Sequence, residues 1–102
     1  MLTFNLKKEW FEKIKSGEKT HEYRIANDYW IKRLSAFDTK VHFKVIENKI
    51  CLACGYPPKD DESKRLYAKV LSISSKDGLN TDLKVNNPVY DIKFELCEQA
   101  ND

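Results

Sequence analysis

The stretch GEKTHEYR, residues 17–24, is where the sequence passes from a helical pattern to a strand pattern. Gly17 follows a helical run at the position where a left-handed cap is wanted, and glycine adopts that conformation without a steric penalty. From residue 20 to residue 25, β-branched and aromatic residues alternate with polar ones, which is typical of a half-buried strand. Because side chains alternate along a strand, we expect Glu22 and Arg24 to share one face.

Two cations and a carboxylate fall within six residues of this stretch: Lys19, Glu22 and Arg24. A guanidinium can bind a phosphate or a planar polar group through two parallel hydrogen bonds, and a lysine adds a point charge. The trio can therefore bind an anionic or polar planar ligand. The same residues can also form a solvated strand face with a surface ion pair, which contributes little to stability. Spacing alone leaves both interpretations open.

Helices are predicted on both sides of this stretch. Apolar residues at positions 6, 10, 11 and 14 form one stripe, which predicts a helix over about residues 7–16. Asn27 or Asp28 can cap a second helix over about residues 29–37.

Arg33 falls between aromatic residues on the predicted apolar face of this second helix. One interpretation is that its stem lies along the apolar surface while its head pairs with an acid. The other is that Arg33 joins Lys19 and Arg24 around an anionic ligand, with Tyr29 or Trp30 as a stacking surface for a base.

The remaining chain is predicted to be mostly β-structure. Strands are expected at residues 2–6, 41–46, 49–54, 66–74 and 89–96, with a charged loop at 59–65, a polar loop at 76–87 and a frayed tail at 98–102. Five or six strands, two early helices and no alternation of strands with helices predict an α+β domain built as a small mixed β-barrel with two short helices.

The length and composition predict one globular domain over residues 1–102. Lys and Arg number 18 against 16 for Asp and Glu, so a nucleic-acid site has to be a local patch rather than a polyelectrolyte surface. No apolar run approaches the roughly 20 residues of a membrane span, and the start of the chain lacks the pattern of a signal peptide. We therefore expect a cytoplasmic protein without a membrane partner.

Three cysteines in such a chain favour reduced thiols over a disulfide framework. Cys51 and Cys54 have the spacing of half a zinc knuckle, but Cys97, His21 and His42 are not paired at metal-ligand spacing. We expect neither a metal site nor a cofactor.

The spacing G-x-K-x-x-E-x-R at residues 17–24 resembles the recurring motif of the ASCH domain, a family of the PUA-like superfamily of small β-barrels. W-F-x-x-I-x-S-G at residues 10–17 resembles the leading helix of that family. Y-W-x-x-R-L at residues 29–34 and G-Y at residues 55–56 resemble a helix and a later turn of a bacterial and phage branch. The resemblance implies one PUA-like domain whose cleft is lined by the motif residues.

The first function that the resemblance implies is binding of RNA, a nucleotide or a nucleoside. Cations would contact phosphate or base edges, Glu22 would orient Arg24 or accept a hydrogen bond from a base amino group, and aromatic rings would stack. Tyr56 would either close the cleft or serve as a structural aromatic beside a turn. The expected ligand-binding residues are Lys19, Glu22, Arg24, Tyr29, Trp30, Arg33 and Tyr56.

A hydrolase is the second interpretation. One ASCH branch hydrolyses the acetyl amide of N4-acetylcytidine with a lysine and a threonine nucleophile. Other members are ribonucleases with a lysine and a tyrosine in key roles, and Lys19 with Tyr23 or Tyr29 would be their counterparts here. Lys19 and Glu22 are the catalytic candidates here, although Glu22 occupies the threonine position and a carboxylate cannot act as that hydroxyl nucleophile. A third interpretation is a protein-interaction module, in which the charged and aromatic cluster is incidental.

Overall fold

The computed structural model describes residues 1–97, which form a mixed five-stranded sheet with two α-helices. In chain order the elements are β1 (Leu2–Leu6), α1 (Lys8–Lys15), β2 (His21–Ile25), α2 (Asp28–His42), β3 (Lys49–Cys54), β4 (Arg65–Asp77) and β5 (Pro88–Leu96). The α+β class and the small barrel-like architecture with two helices are confirmed. The tail expected at residues 98–102 lies outside the described residues.

The strand order is β1-β3-β4-β5-β2, with β1 parallel to β3 and the other three pairs antiparallel. The sheet curls into a half-barrel, so β1 and β2 are its two edges. Nη2 of Arg24 on β2 donates a hydrogen bond to the backbone carbonyl of Asn5 on β1 at 3.1 Å. The curl therefore brings the two edges within reach of one side chain, and we call the gap between them the seam.

Every α-helix and every strand except β2 contributes a pair of residues to the hydrophobic core, whereas the inner face of β2 carries Glu22 and Arg24. The core residues are Phe4, Leu6, Phe11, Ile14, Leu34, Phe37, Ile50, Leu52, Leu66, Ala68, Ile92 and Phe94. Two polar residues on the inner side of an edge strand are unusual, because buried polar groups need partners. The seam is where the core ends and a polar site begins.

The junction between α1 and β2 has the predicted glycine cap. Gly17 has φ +85° and its N–H donates to the carbonyl of Ile14 at 3.0 Å. The N–H of Lys19 then donates to the carbonyl of Lys13 at 3.1 Å, which closes the last turn of the helix. The cap reverses the direction of the chain after α1, and Lys19 therefore lies at the seam.

Helix α2 is longer than predicted, and the strand predicted at residues 41–46 is wrong. Leu34, Phe37 and Val41 pack against the core with helical spacing, so the helix continues to His42. Lys44 then takes a left-handed conformation with φ 59° and ends it. The alternation of apolar residues after position 41 had indicated a strand, but those after Val41 lie exposed beyond the helix.

Strand β4 is longer than the predicted residues 66–74, and its facing differs from strict alternation, which places Leu66, Ala68, Val70 and Ser72 on one face. It runs from residue 65 to residue 77, and its register with β5 shifts between Val70 and Ser72. This irregularity places Ile73 opposite Ile92, so Ile73 rather than Ser72 continues the inner face. Lys76, expected in a loop, therefore lies in the strand.

Candidate functional site

A cleft of about 420 Å³ lies at the seam. It is bounded by the end of β1, the start of α1, Lys19, three consecutive residues of β2 and the loop between β4 and β5, which supplies Asp82 and Leu83. The charged side chains that line it are Lys7, Lys19, Arg24, Glu9, Glu22 and Asp82. Cations and carboxylates are therefore present in equal number.

Glu22 is the most buried charged side chain of the cleft, with 9% of its side chain exposed. Its Oε1 accepts a hydrogen bond from the backbone N–H of Tyr23 at 3.0 Å, which satisfies a donor on the unpaired edge of β2. Its Oε2 lies 3.5 Å from Nη2 of Arg24 and has no hydrogen-bond partner. A buried carboxylate oxygen without a donor is costly unless a ligand or a water supplies one.

Burial raises the pKa of Glu22 above its ordinary value of 4.5, because desolvation disfavours the charged carboxylate. The positive charge of Arg24 and the hydrogen bond from Tyr23 oppose this shift without cancelling it. The cleft therefore favours a proton or a hydrogen-bond donor at this carboxyl group.

Arg24 forms the wall of the cleft that joins the two sheet edges. Its guanidinium carbon lies 5.1 Å from the ring centroid of Trp30 and 5.3 Å from that of Phe4. These two rings are stacked on each other with centroids 5.1 Å apart. Nε of Arg24 is buried and has no hydrogen-bond partner. Trp30 thus supports Arg24 from behind and does not line the cleft itself.

Lys19 lies between two aromatic rings at the mouth of the cleft. Its Nζ is 5.1 Å from the ring centroid of Trp10 and 4.9 Å from that of Tyr23, and it forms an ion pair with Asp82. Only 10% of the Lys19 side chain is exposed. The two rings and the carboxylate of Asp82 together fix the position of the ammonium group.

The structure brings Lys19, Glu22 and Arg24 together and places the other predicted site residues elsewhere. Arg33 lies on the exposed side of α2, with its guanidinium carbon 3.4 Å from the ring centroid of Tyr29 and Nη1 donating to the carbonyl of Tyr29 at 3.2 Å. These two residues are therefore not on the apolar face where the sequence pattern put them.

Tyr56 is 89% exposed at a turn that begins with Gly55, and it does not line the cleft. Gly55 has φ +66°, and its N–H donates to the carbonyl of Leu6 at the end of β1. The turn therefore fixes β3 against β1 near the seam, while its aromatic side chain points into solvent.

Trp10 and Asp82 contact Lys19 in the cleft, although the sequence pattern did not mark either as a site residue. Trp10 was expected in the core, yet it is only partly buried and carries Nζ of Lys13 and of Lys19 over its ring at 5.0 Å and 5.1 Å. The spacing of Trp10 and Lys13 on one helix face was a usable signal. Asp82 arrives from a loop sixty-three residues beyond Lys19, and no local pattern indicated it.

Comparison of the chain with known protein families and with curated proteins finds no match. The fold and the site define a small α+β half-barrel with a charged, aromatic cleft at its open seam. Within residues 1–97, no helix is long and apolar enough to cross a membrane. In the same range, no group of three or more His, Cys, Asp or Glu side chains is placed to hold a metal ion.

Proposed function

We propose that the seam cleft binds single-stranded RNA or a nucleotide, and that the chain is an ASCH domain of the PUA-like superfamily acting in the cytoplasm. Two buried atoms without hydrogen-bond partners carry the proposal. Oε2 of Glu22 lacks a donor, and Nε of Arg24 lacks an acceptor. The Watson–Crick edge of every nucleobase offers a donor next to an acceptor, so a base can satisfy such a pair of atoms at once.

The remaining groups of the cleft suit a sugar and a phosphate. Lys19 supplies a fixed cation at the mouth, and the rings of Trp10 and Tyr23 beside it offer surfaces on which a base or ribose can lie. In this proposal Trp10 and Tyr23 take the stacking role that the sequence pattern assigned to Tyr29 and Trp30.

Charge balance in the cleft sets the expected strength of binding. With equal numbers of cations and carboxylates, the phosphate contributes little long-range attraction, and most of the affinity comes from contacts inside the cleft. We expect one or two phosphates to be neutralised, which gives a shallow dependence of affinity on salt compared with a basic single-strand binder.

The proposal is tested by titrating the protein with a single-stranded RNA hexamer and following the fluorescence of its tryptophans. Lys19→Ala should weaken binding by roughly 10-fold or more, because it removes a charged contact. Lys40→Ala removes the same charge from an exposed position of α2 and should change affinity less than 2-fold. Equal losses in the two variants would mean that binding follows net charge and not the cleft.

The other two interpretations have their own outcomes in the same experiment. Removal of the acetyl group from N4-acetylcytidine, in a parallel incubation, would make the cleft a hydrolase site built on Lys19 and Glu22. The absence of binding to RNA, nucleotides and nucleosides alike would favour a protein-interaction module.

A further inference from the structure

Behind the cleft, on the opposite face of β2 from Glu22, His21 lies against a buried carboxylate. Nδ1 of His21 is 2.6 Å from Oδ1 of Asp91 on β5. The Asp91 side chain is 5% exposed and that of His21 is 31% exposed. Nζ of Lys76 on β4 lies 2.8 Å from the other oxygen, Oδ2. Partners on two different strands thus hold the carboxylate, and the carboxylate fixes the orientation of the imidazole ring.

The charge on Asp91 decides which nitrogen of His21 carries the proton. Burial acts to raise the pKa of Asp91, but the hydrogen bonds from Lys76 and His21 outweigh it and hold the pKa below its ordinary value. An ionised carboxylate accepts from Nδ1–H, so the neutral ring keeps a free lone pair on Nε2. Within residues 1–97, no hydrogen bond reaches Nε2.

His21 lines a second cavity of about 270 Å³ that adjoins the cleft. The two cavities share Trp10, Lys19 and Asp82, so they meet around the ammonium group of Lys19. Lys13 adds a further cation to the second cavity. An RNA strand with a phosphate at Lys19 can therefore continue into the space beside the imidazole of His21.

We propose that this second cavity is a phosphodiester-cleaving site in which His21 is the general base and Asp91 is its positioning residue. The inference rests on the proposed binding of RNA in the cleft. RNA carries its own nucleophile, the ribose 2′-hydroxyl, so the site needs a base and cations but no protein nucleophile. The arrangement supplies a base held by a buried acid, with Lys19 and Lys13 close to the phosphate.

In the proposed step, Nε2 of His21 takes the proton of the 2′-hydroxyl while its oxygen forms a bond to phosphorus. The bond from phosphorus to the 5′-oxygen of the next nucleotide breaks, and that oxygen takes a proton from solvent water. The products are a 2′,3′-cyclic phosphate and a 5′-hydroxyl end, with no change of oxidation state. Lys19 offsets the negative charge that develops on the phosphoryl oxygens. The imidazolium then returns its proton to solvent.

Other charged groups surround His21, and each of them can contribute to the pH dependence of the cleavage rate. Asp91 and Lys93 face it from β5, Lys76 from β4, Tyr23 from its own strand, and Lys13, Glu18, Lys19 and Asp82 from the walls of the cavity. Variants at His21 and Asp91 isolate the dyad from this background.

The test uses the full chain with a labelled single-stranded RNA hexamer in the presence of EDTA. The 2′-O-methyl form of the same hexamer serves as a ligand that lacks the nucleophile. We expect the wild-type protein to cut RNA and to bind 2′-O-methyl RNA without cutting it. His21→Ala and His21→Gln should lower the cleavage rate by roughly 100-fold or more, since general bases contribute 10²- to 10⁴-fold. Binding of the 2′-O-methyl hexamer should change less than 3-fold in both variants.

The control is His42→Ala, because His42 is the other histidine of the chain and is exposed at the end of α2. It should cleave at the wild-type rate, and a loss of cleavage confined to the His21 variants then excludes a contaminating nuclease. Asp91→Asn should lower the cleavage rate by roughly 10-fold or more and leave binding of the 2′-O-methyl hexamer within about 3-fold of wild type, because the imidazole loses the acceptor that orients it. A merely structural role for Asp91 would weaken binding of the 2′-O-methyl hexamer as well.

RNA that binds but keeps its length, or cleavage that His21→Ala leaves intact, overturns the assignment of the dyad while the binding function stands. Failure of the 2′-O-methyl hexamer to bind overturns the binding function and the cleavage site together.

Discussion

Two parts of this molecule set a guanidinium against an aromatic ring, and they differ in what surrounds them. Arg24 lies in the seam cleft, where it joins two strands and keeps a buried nitrogen without a partner. Arg33 lies on the outer side of α2, stacked on Tyr29 and bonded to the carbonyl of that same residue. Residue type alone therefore does not mark a site. Unmet hydrogen-bonding capacity inside a concavity does.

The largest effect should come from the core that supports the cleft and not from the cleft itself. Phe11 on α1 is 2% exposed, so Phe11→Ala should lower the free energy of unfolding by about 3–5 kcal/mol through loss of burial and formation of a cavity. Chemical denaturation followed by circular dichroism measures it. A loss below 1 kcal/mol would mean that α1 is not packed as described.

Replacement of each arginine by alanine should affect stability very differently in the two regions. Arg24→Ala should lower the free energy of unfolding by about 1–3 kcal/mol, since the carbonyl of Asn5 and the carboxylate of Glu22 both lose a charged partner. Arg33→Ala, the matched variant at an exposed position, should change it by no more than about 0.5 kcal/mol. Similar values for the two variants, from the same denaturation experiment, would remove the distinction between the regions.

Glu22→Gln should raise stability at neutral pH and weaken ligand binding. The pKa of Glu22 is raised in the folded protein, so folding takes up a proton and stability falls as pH rises from 4.5 through the folded-state pKa. Glutamine keeps the shape without the buried charge and should stabilise by about 1 kcal/mol above that range, with no gain below pH 4.5.

Denaturation of both proteins at several pH values checks this prediction for Glu22. A glutamine variant that is less stable at neutral pH would show that the ion pair with Arg24 outweighs the cost of burial.

Asp82→Asn should produce the smallest change in stability, and it should strengthen ligand binding instead of weakening it. Asp82 is exposed over 45% of its side chain and forms an ion pair with Lys19 at the point where a phosphate is proposed to lie. Removal of its charge should raise the affinity for a mononucleotide by about 3- to 10-fold, with little change in stability because the pair is partly exposed. Calorimetric titration with cytidine monophosphate measures it, and weaker binding would mean that Asp82 contacts the ligand itself.

The sequence predicts the parts of this site that depend on local geometry. A glycine at the end of a helical run predicts the left-handed cap at Gly17, and strand alternation predicts that Glu22 and Arg24 share a face. Together, the cap and the shared strand face predict that Lys19 lies close to Glu22 and Arg24. Trp10 and Lys13 form a pair on one helix face that the same reasoning could have reached.

The remainder depends on contacts between distant segments, which local patterns do not encode. Asp82 reaches Lys19 only because the half-barrel curls, and the facing of β4 changes at the irregularity between Val70 and Ser72. Val41 fits both a helical and an alternating pattern, so the sequence alone does not locate the end of α2. Packing against the core decides between the two patterns.

The most direct test of the site is an amide chemical-shift titration of the protein with the 2′-O-methyl RNA hexamer. We expect the largest shifts at the amides of Lys19, Tyr23 and Arg24, with the amides of Tyr29 and Arg33 unchanged. Shifts centred on α2, or none at any residue at millimolar ligand, would contradict the assignment of the seam cleft as a nucleic-acid site.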